Sequence, residues 1–243
     1  MNIIVTKDEQ EMSQKAADLL QQRNKPESEC VLGLATGGTP LGTYQELIRR
    51  YESGEMDFSN VTTLNLDEYV GVPKSHPQSY RSFMQENLFK HVNMDTRKAH
   101  IPDGQAVDLK EECARYEALI EEVGPPDIQL LGIGHNGHIG FNEPGSSFES
   151  ETHVVELADS TREANARFFT SIEEVPTKAI TMGIQSIMKA KKIVLIASGE
   201  KKADAIQKLL SQDVSEDFPA SALHRHPDVT LIVDLAAYQT VQN

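Results

Sequence analysis

Three short stretches of this 243-residue chain place groups capable of chemistry directly after apolar, β-branched runs. The first, Thr36-Gly37-Gly38-Thr39-Pro40, follows the run Val31 to Ala35. A strand that turns there into a helix aims several backbone N–H groups and two hydroxyls at one spot, beside the positive end of the helix, which is an anion-binding arrangement. A tight strand-to-helix turn accounts for the same glycines, and the Gly-Lys-Ser/Thr ending of a nucleotide loop is missing. The second, Asp67-Glu68, ends the run Val61 to Leu66. A carboxylate there serves as a general base if burial keeps it beside a carbon acid; the pair equally suits a Mg²⁺ site or a helix N-cap. The third runs from Gly132 to Pro144 and holds His135, Asn136, His138, Asn142 and Glu143. Its Gly132, Gly134 and Gly137 fit G-x-G-x-x-G, but Gly140 and Pro144 interrupt the helix that a dinucleotide fingerprint requires. His135 and His138 with Glu143 have the types of zinc ligands, without a clear further ligand motif. The remaining reading is a loop that presents imidazole, amide and carboxylate together for acid–base chemistry near neutral pH.

The elements that must position these stretches alternate. Short strand-like runs occur at Ile3 to Val5, Val31 to Ala35, Val61 to Leu66, Ile128 to Ile133, Val154 to Leu157, Ile193 to Ala197 and Val229 to Val233. Between most of them lie helical spacings: Ala16, Leu19 and Leu20; Tyr44, Leu47 and Ile48; Cys113, Tyr116, Leu119 and Ile120; Ala205, Leu209 and Leu210. The pattern predicts βαβ units around an open, mostly parallel α/β sheet with helices on both faces. Thr39 is placed to cap a helix opening at Pro40, Gly124-Pro125-Pro126 breaks the chain before the Ile128 run, and Gly71 to Ser79 reads as an ordered loop. No repeat or long linker divides the chain, so residues 1–243 read as one domain. In such sheets ligands bind beyond the carboxyl ends of the strands, which is where all three stretches fall.

Composition narrows the partners. Lys and Arg number 23 against 37 Asp and Glu, a net charge of −14 shared equally between the halves on either side of Glu121. An evenly acidic surface repels polyphosphate backbones and anionic lipid, which disfavours a general nucleic-acid or membrane-surface binder. Two cysteines, Cys30 and Cys113, suit buried thiols in a reducing compartment. The N-terminus reaches charge too soon for a signal or transit peptide, and no apolar run approaches the roughly 18 residues of a membrane span, so a cytoplasmic protein is expected.

Thr36-Gly37-Gly38-Thr39-Pro40, Leu66-Asp67-Glu68-Tyr69-Val70-Gly71, the run Asn136 to Pro144, and Ser160-Thr161-Arg162 through Ala166-Arg167-Phe168-Phe169 together resemble the glucosamine-6-phosphate deaminase family, in order along nearly the whole chain. The resemblance implies a Rossmann-like fold and a cofactor-free, metal-free conversion of glucosamine 6-phosphate and water to fructose 6-phosphate and ammonium, as in aminosugar catabolism. It assigns ring opening to His138 with Glu143 orienting the imidazole, and the C2 proton to Asp67. It assigns the phosphate to Thr36, Gly37, Gly38 and Thr39, to Arg167 and to Lys202. It places a mobile lid at about 151–181.

The chain departs from the family pattern in two places. Asn136 stands where many members have aspartate; an amide orients an imidazole but holds no charge, so its part is positional. Members activated by N-acetylglucosamine 6-phosphate carry basic residues where this chain has His153 and Val155, and a longer C-terminal part. No such activation is expected, and a monomer or small homo-oligomer in place of their hexamer. A 6-phosphogluconolactonase-like hydrolase and a non-catalytic sugar-phosphate sensor are the alternatives; simple binding has no need of the acid–base set Asp67, His138 and Glu143.

Overall fold

A computed structural model describes residues 1–25, 28–157, 162–163, 166, 169, 171–211 and 213–239. Seven parallel strands form the central sheet: β1 (Asn2–Thr6), β2 (Cys30–Leu34), β3 (Val61–Asn65), β5 (Ala99–His100), β6 (Ile128–Gly132), β9 (Ile193–Ala197) and β10 (Val229–Asp234). Their order across the sheet is β1-β10-β9-β6-β2-β3-β5. From β2 the chain builds outward through β3 to β5, then returns to the other flank of β2 with β6. The order therefore reverses between β2 and β6, and a crevice opens beyond their carboxyl ends.

Helices cover both faces, as the unbroken apolar runs of β2, β9 and β10 require. On one face α1 (Glu9–Arg23), α2 (Leu41–Glu52) and α3 (Tyr80–Asn87) pack Met12, Leu20, Tyr44, Leu47 and Met84 against Leu32, Leu34 and Ile196. On the other, α4 (Leu109–Val123), α5 (Ile184–Met188), α6 (Ala203–Leu210) and α7 (Leu235–Tyr238) pack Tyr116, Ile120, Ile187, Ile206, Leu209 and Ala237 against Leu64, Leu131, Leu195 and Leu231. Side-chain caps start several of these helices: Asp8 accepts from the Glu11 N–H, and Asp108 from the Lys110 and Glu111 N–H groups. Cys30 and Cys113 are buried free thiols, as expected.

Three short strands were not legible from periodicity: β5, β4 (Asp67–Tyr69) and β8 (Lys178–Thr181). The run Val61 to Leu66 ends as a strand at Asn65, and after a bend at Leu66 the chain enters a second, antiparallel sheet of order β4-β8-β7, with β7 at His153–Glu156. A strand of two to four residues shows no alternation from which to read it. Helix α2 starts at Leu41 with Pro40 as its cap residue and no side-chain cap hydrogen bond, so Thr39 does not cap it. Among the described residues no helix is long and apolar enough to cross a membrane.

Tyr116 fastens the carboxyl end of β3. Its buried hydroxyl donates to the carbonyls of Asn65 (2.6 Å) and His100 (3.2 Å). Tyr116→Phe should cost about 1–3 kcal/mol by leaving a buried acceptor unpaired, read as a lower denaturant midpoint with an unchanged slope.

Candidate active site

The three stretches meet at the crevice. Thr36 to Thr39 leave β2, Asp67 follows β3, and Gly134 to Glu143 follow β6. What joins the last two is Thr181 on β8, for which the sequence offered no signal. Its residue pairs with Asp67 across the β4–β8 ladder, and its hydroxyl accepts the Phe141 N–H at 3.1 Å. The turn at Gly140, with φ +57°, comes so close that an added Cβ would lie 3.0 Å from Thr181 Oγ1 and 3.6 Å from Asp67 Oδ2. Asn142 locks the loop by donating to the Ile139 and Met182 carbonyls, both at 2.9 Å.

Asp67 is 6% exposed, and among the described residues nothing donates a hydrogen bond to its carboxylate. Burial, with the neighbouring charge of Glu68 second, pushes it up from 3.8 to about 8. Glu68 has a different task. It accepts the N–H groups of Tyr69 (2.9 Å), Tyr80 (2.9 Å) and Arg81 (3.0 Å), and so caps α3 from outside that helix. Burial raises its carboxyl and the three N–H donors oppose that rise. Neither acid caps a helix of its own, and no group of three or more His, Cys, Asp or Glu side chains gathers as a metal site among the described residues.

His138 lies at the end of a relay. Its Nδ1 is 2.8 Å from Asn136 Oδ1, and Asn136 Nδ2 donates to Glu143 Oε2 at 2.6 Å. Because the amide nitrogen is committed to the carboxylate, its oxygen must accept, so Nδ1 carries the ring proton and Nε2 remains the basic atom. Glu143 thus reaches the imidazole mainly through Asn136; its direct separation from Nδ1 is 3.5 Å. The ring lies against Gly134, where a Cβ would meet it at 2.2 Å. Residues 133–144 form turns with no helix, which removes the dinucleotide reading.

On the anion side, the N–H groups of Gly37, Gly38 and Thr39 bind no partner among the described residues, and Gly37 has φ +98°. The Thr36 side chain lies beside the Tyr80 phenol. Lys202 Nζ donates to the Ile133 carbonyl at 2.7 Å, directly before the histidine loop, and burial lowers its pKa. Its turn is held by Asp234, a residue that sequence reasoning missed, which accepts the Ser198 hydroxyl and the Gly199 N–H. The charge of Lys202 is also the first cause holding His135 below its usual range. Arg167 lies outside the described residues, as do Ser160, Thr161 and Phe168 of the same motif. Phe169 is described, edge-on to Tyr69 and stacked on His76.

Residues 7–232 match the family of glucosamine-6-phosphate isomerases and 6-phosphogluconolactonases. The chain belongs to this family. Within it, the chain is 56% identical to a glucosamine-6-phosphate deaminase of Thermoanaerobacter pseudethanolicus, across 98% of this chain and 94% of the relative. It is 52% identical to glucosamine-6-phosphate deaminase 1 of Bacillus subtilis, across 98% of each. A solved structure of a monomeric glucosamine-6-phosphate deaminase superposes with a TM-score of 0.96 at 52% identity, covering 98% of this chain and 99% of the other. The family's lactonase branch shares the fold: a 6-phosphogluconolactonase of Thermotoga maritima superposes with a TM-score of 0.75 at 18% identity, over 96% of this chain and 98% of the other.

The raised pKa of Asp67 has a consequence for stability. The fold favours the protonated acid, so that contribution is complete below the unfolded value near 3.8 and is lost as pH rises through about 8. Asp67→Asn should stabilise the protein. The gain, measured by denaturation at several pH values, should grow by at most roughly 1.4 kcal/mol per pH unit across that window and level off above it.

Proposed function

We propose that the chain is a glucosamine-6-phosphate deaminase, which converts D-glucosamine 6-phosphate and water to D-fructose 6-phosphate and ammonium. The observation that carries this reading is Asp67, a buried carboxyl group beside the histidine loop with no hydrogen-bond donor among the described residues. Taking a proton from carbon needs such a base; opening a lactone with water does not, which favours deamination over the lactonase alternative. Identities of 52–56% to deaminases, against 18% to the Thermotoga lactonase, support the same choice.

The residues divide the work as follows. His138 Nε2 takes the anomeric hydroxyl proton of the closed pyranose and delivers a proton to the ring oxygen, giving the open-chain aldehyde. Asn136 holds the imidazole in the required tautomer, and the Glu143 carboxylate stabilises the imidazolium through that amide. Asp67 then removes the C2 proton while the C1 oxygen takes up a proton, forming an enolamine, and it returns its proton to C1, which leaves a C1 hydroxyl and an iminium at C2. Water adds there and ammonium departs. Such general acid–base steps contribute roughly 10²–10⁴-fold each. The phosphate is held by the free N–H groups of Gly37, Gly38 and Thr39, by the Thr36 hydroxyl, by Lys202 and by Arg167, whose guanidinium fork matches phosphate oxygens. Lys202 exchanges its Ile133 carbonyl for the substrate.

The segment 151–181 acts as the lid within a single domain. Its ends are tied down as β7 and β8 and Phe169 lies against the Tyr69 and His76 rings, while 158–161, 164–165, 167–168 and 170 lie outside the described residues; closure over the open-chain sugar would keep water from the enolamine. No cofactor is assigned. The protein works in the cytoplasm as a monomer or small homo-oligomer; the resemblance to a structure described as monomeric supports the former.

Purified protein should release ammonium from glucosamine 6-phosphate, with kcat/KM rising as pH approaches about 8, where Asp67 ionises. Asp67→Asn should bind sugar phosphate yet fail to exchange the C2 proton with solvent; retained exchange rules out Asp67 as the base, and lactone hydrolysis without ammonium release moves the assignment to the lactonase branch. Asn136→Leu and Glu143→Gln should each slow the closed pyranose more than an open-chain analogue, and the double variant should be no slower than the worse single one, because both break one relay. Additive losses in kcat/KM would separate the two residues.

A further inference from the structure

We propose that the protein carries a second oxyanion site, apart from the Thr36 to Thr39 turn, in a cavity beyond the carboxyl end of edge strand β5. The cavity holds about 250 Å³ and is lined by Lys74, Arg81, His100, Asp103, Glu112 and Arg115. It is lined from the carboxyl end of β5, from α3 and from α4.

Its charges are arranged unequally. Lys74 Nζ bonds Asp103 Oδ2 at 2.7 Å, and Arg115 grips Glu112 through Nε and Nη2, both at 2.6 Å. Glu112 Oε1 also accepts the Asp103 N–H at 2.7 Å. Both carboxylates are therefore engaged. The Arg81 guanidinium and the His100 imidazole make no hydrogen bond among the described residues. Three cations against two carboxylates leave a charge of +1, in a chain of −14. The guanidinium groups of Arg81 and Arg115 and the His100 imidazole, all lining one cavity, are donor types that match a tetrahedral oxyanion. The volume lies below the roughly 300–1,000 Å³ of pockets for larger ligands, so it suits a free phosphate ion or the phosphate end of a small ester.

The electrostatics of His100 agree. Burial first, then the charges of Arg115 on α4 and Arg81 on α3, hold its pKa below the usual value, with Glu122 opposing. An anion bound between the two arginines offsets their charge and must raise it again. The site also adjoins the catalytic turn, since the Arg81 N–H binds Glu68, the neighbour of Asp67.

The test uses the full chain carrying Lys202→Ala, which removes one proposed substrate-phosphate contact, titrated with inorganic phosphate by calorimetry and by NMR of the His100 ring. Saturable binding that does not depend on Lys202 should remain, and His100 should titrate at higher pH in the presence of phosphate. Adding Arg81→Gln should weaken binding at least tenfold and abolish the His100 shift, and His100→Gln should weaken it as well. Glycerol 3-phosphate as a second probe separates an ester from the free ion; tighter binding of either supports the site. Binding of neither, or affinity unchanged by Arg81→Gln, overturns it. If native protein and Lys202→Ala bind the same number of phosphates, the role of Lys202 fails, and this site stands only if Arg81→Gln then removes one of them.

Discussion

Asp67 is a carboxyl group kept from water with no donor to satisfy it among the described residues, and much of the surrounding architecture holds it there. Left alone, a residue after a parallel strand would turn to solvent or cap a helix. Here the chain bends at Leu66, leaves the main sheet and is caught by β8, with Thr181 opposite. The same threonine receives the Phe141 N–H, so the strand that buries Asp67 also fixes the loop that carries His138. Glu68 shows the contrast. One residue further on, with comparable exclusion from water, it is given three N–H donors and serves as a helix cap. Hydrogen-bond supply decides which of two adjacent acids is structural and which is held in reserve for chemistry.

The histidine loop solves a different problem. An imidazole near neutral pH has two candidate proton sites, and catalysis needs one of them settled. The chain Glu143 to Asn136 to His138 settles it with an amide whose two ends differ: the nitrogen can only donate and the oxygen can only accept. An asparagine in this position is therefore an asset as an orienting group, while the negative charge stays one residue further back, on Glu143.

The charge of the whole molecule and the charge of its sites have opposite signs. At long range a chain of −14 opposes an anionic substrate. At short range the N–H groups of Gly37 to Thr39, which bind no partner among the described residues, and the amine of Lys202 would reverse that balance over one phosphate in the proposed reading. Asp234 matters here without touching a ligand, because it fixes the Ser198-Gly199 turn from which Lys202 projects.

Much of this was legible in the order of residues. The fold class followed from apolar runs long enough to show a period, and the strand-end position of all three stretches followed from the parallel sheet those runs imply. The residue types of Asp67, His138 and Glu143 offered acid–base groups with metal and capping readings still open, and four motif stretches in order along the chain carried the resemblance to the family. What the sequence could not determine was adjacency. Strands β4, β5 and β8 are two to four residues long, and their pairing is a long-range event with no local signal. Thr181 and Asp234 look like ordinary strand residues until the fold places one against the base and the other under the Lys202 turn. The separate fates of Asp67 and Glu68, and the tautomer of His138, depend on where distant N–H groups and side chains arrive. That is set by tertiary packing, because the free energy of a buried polar group is decided by its partners and not by its own identity.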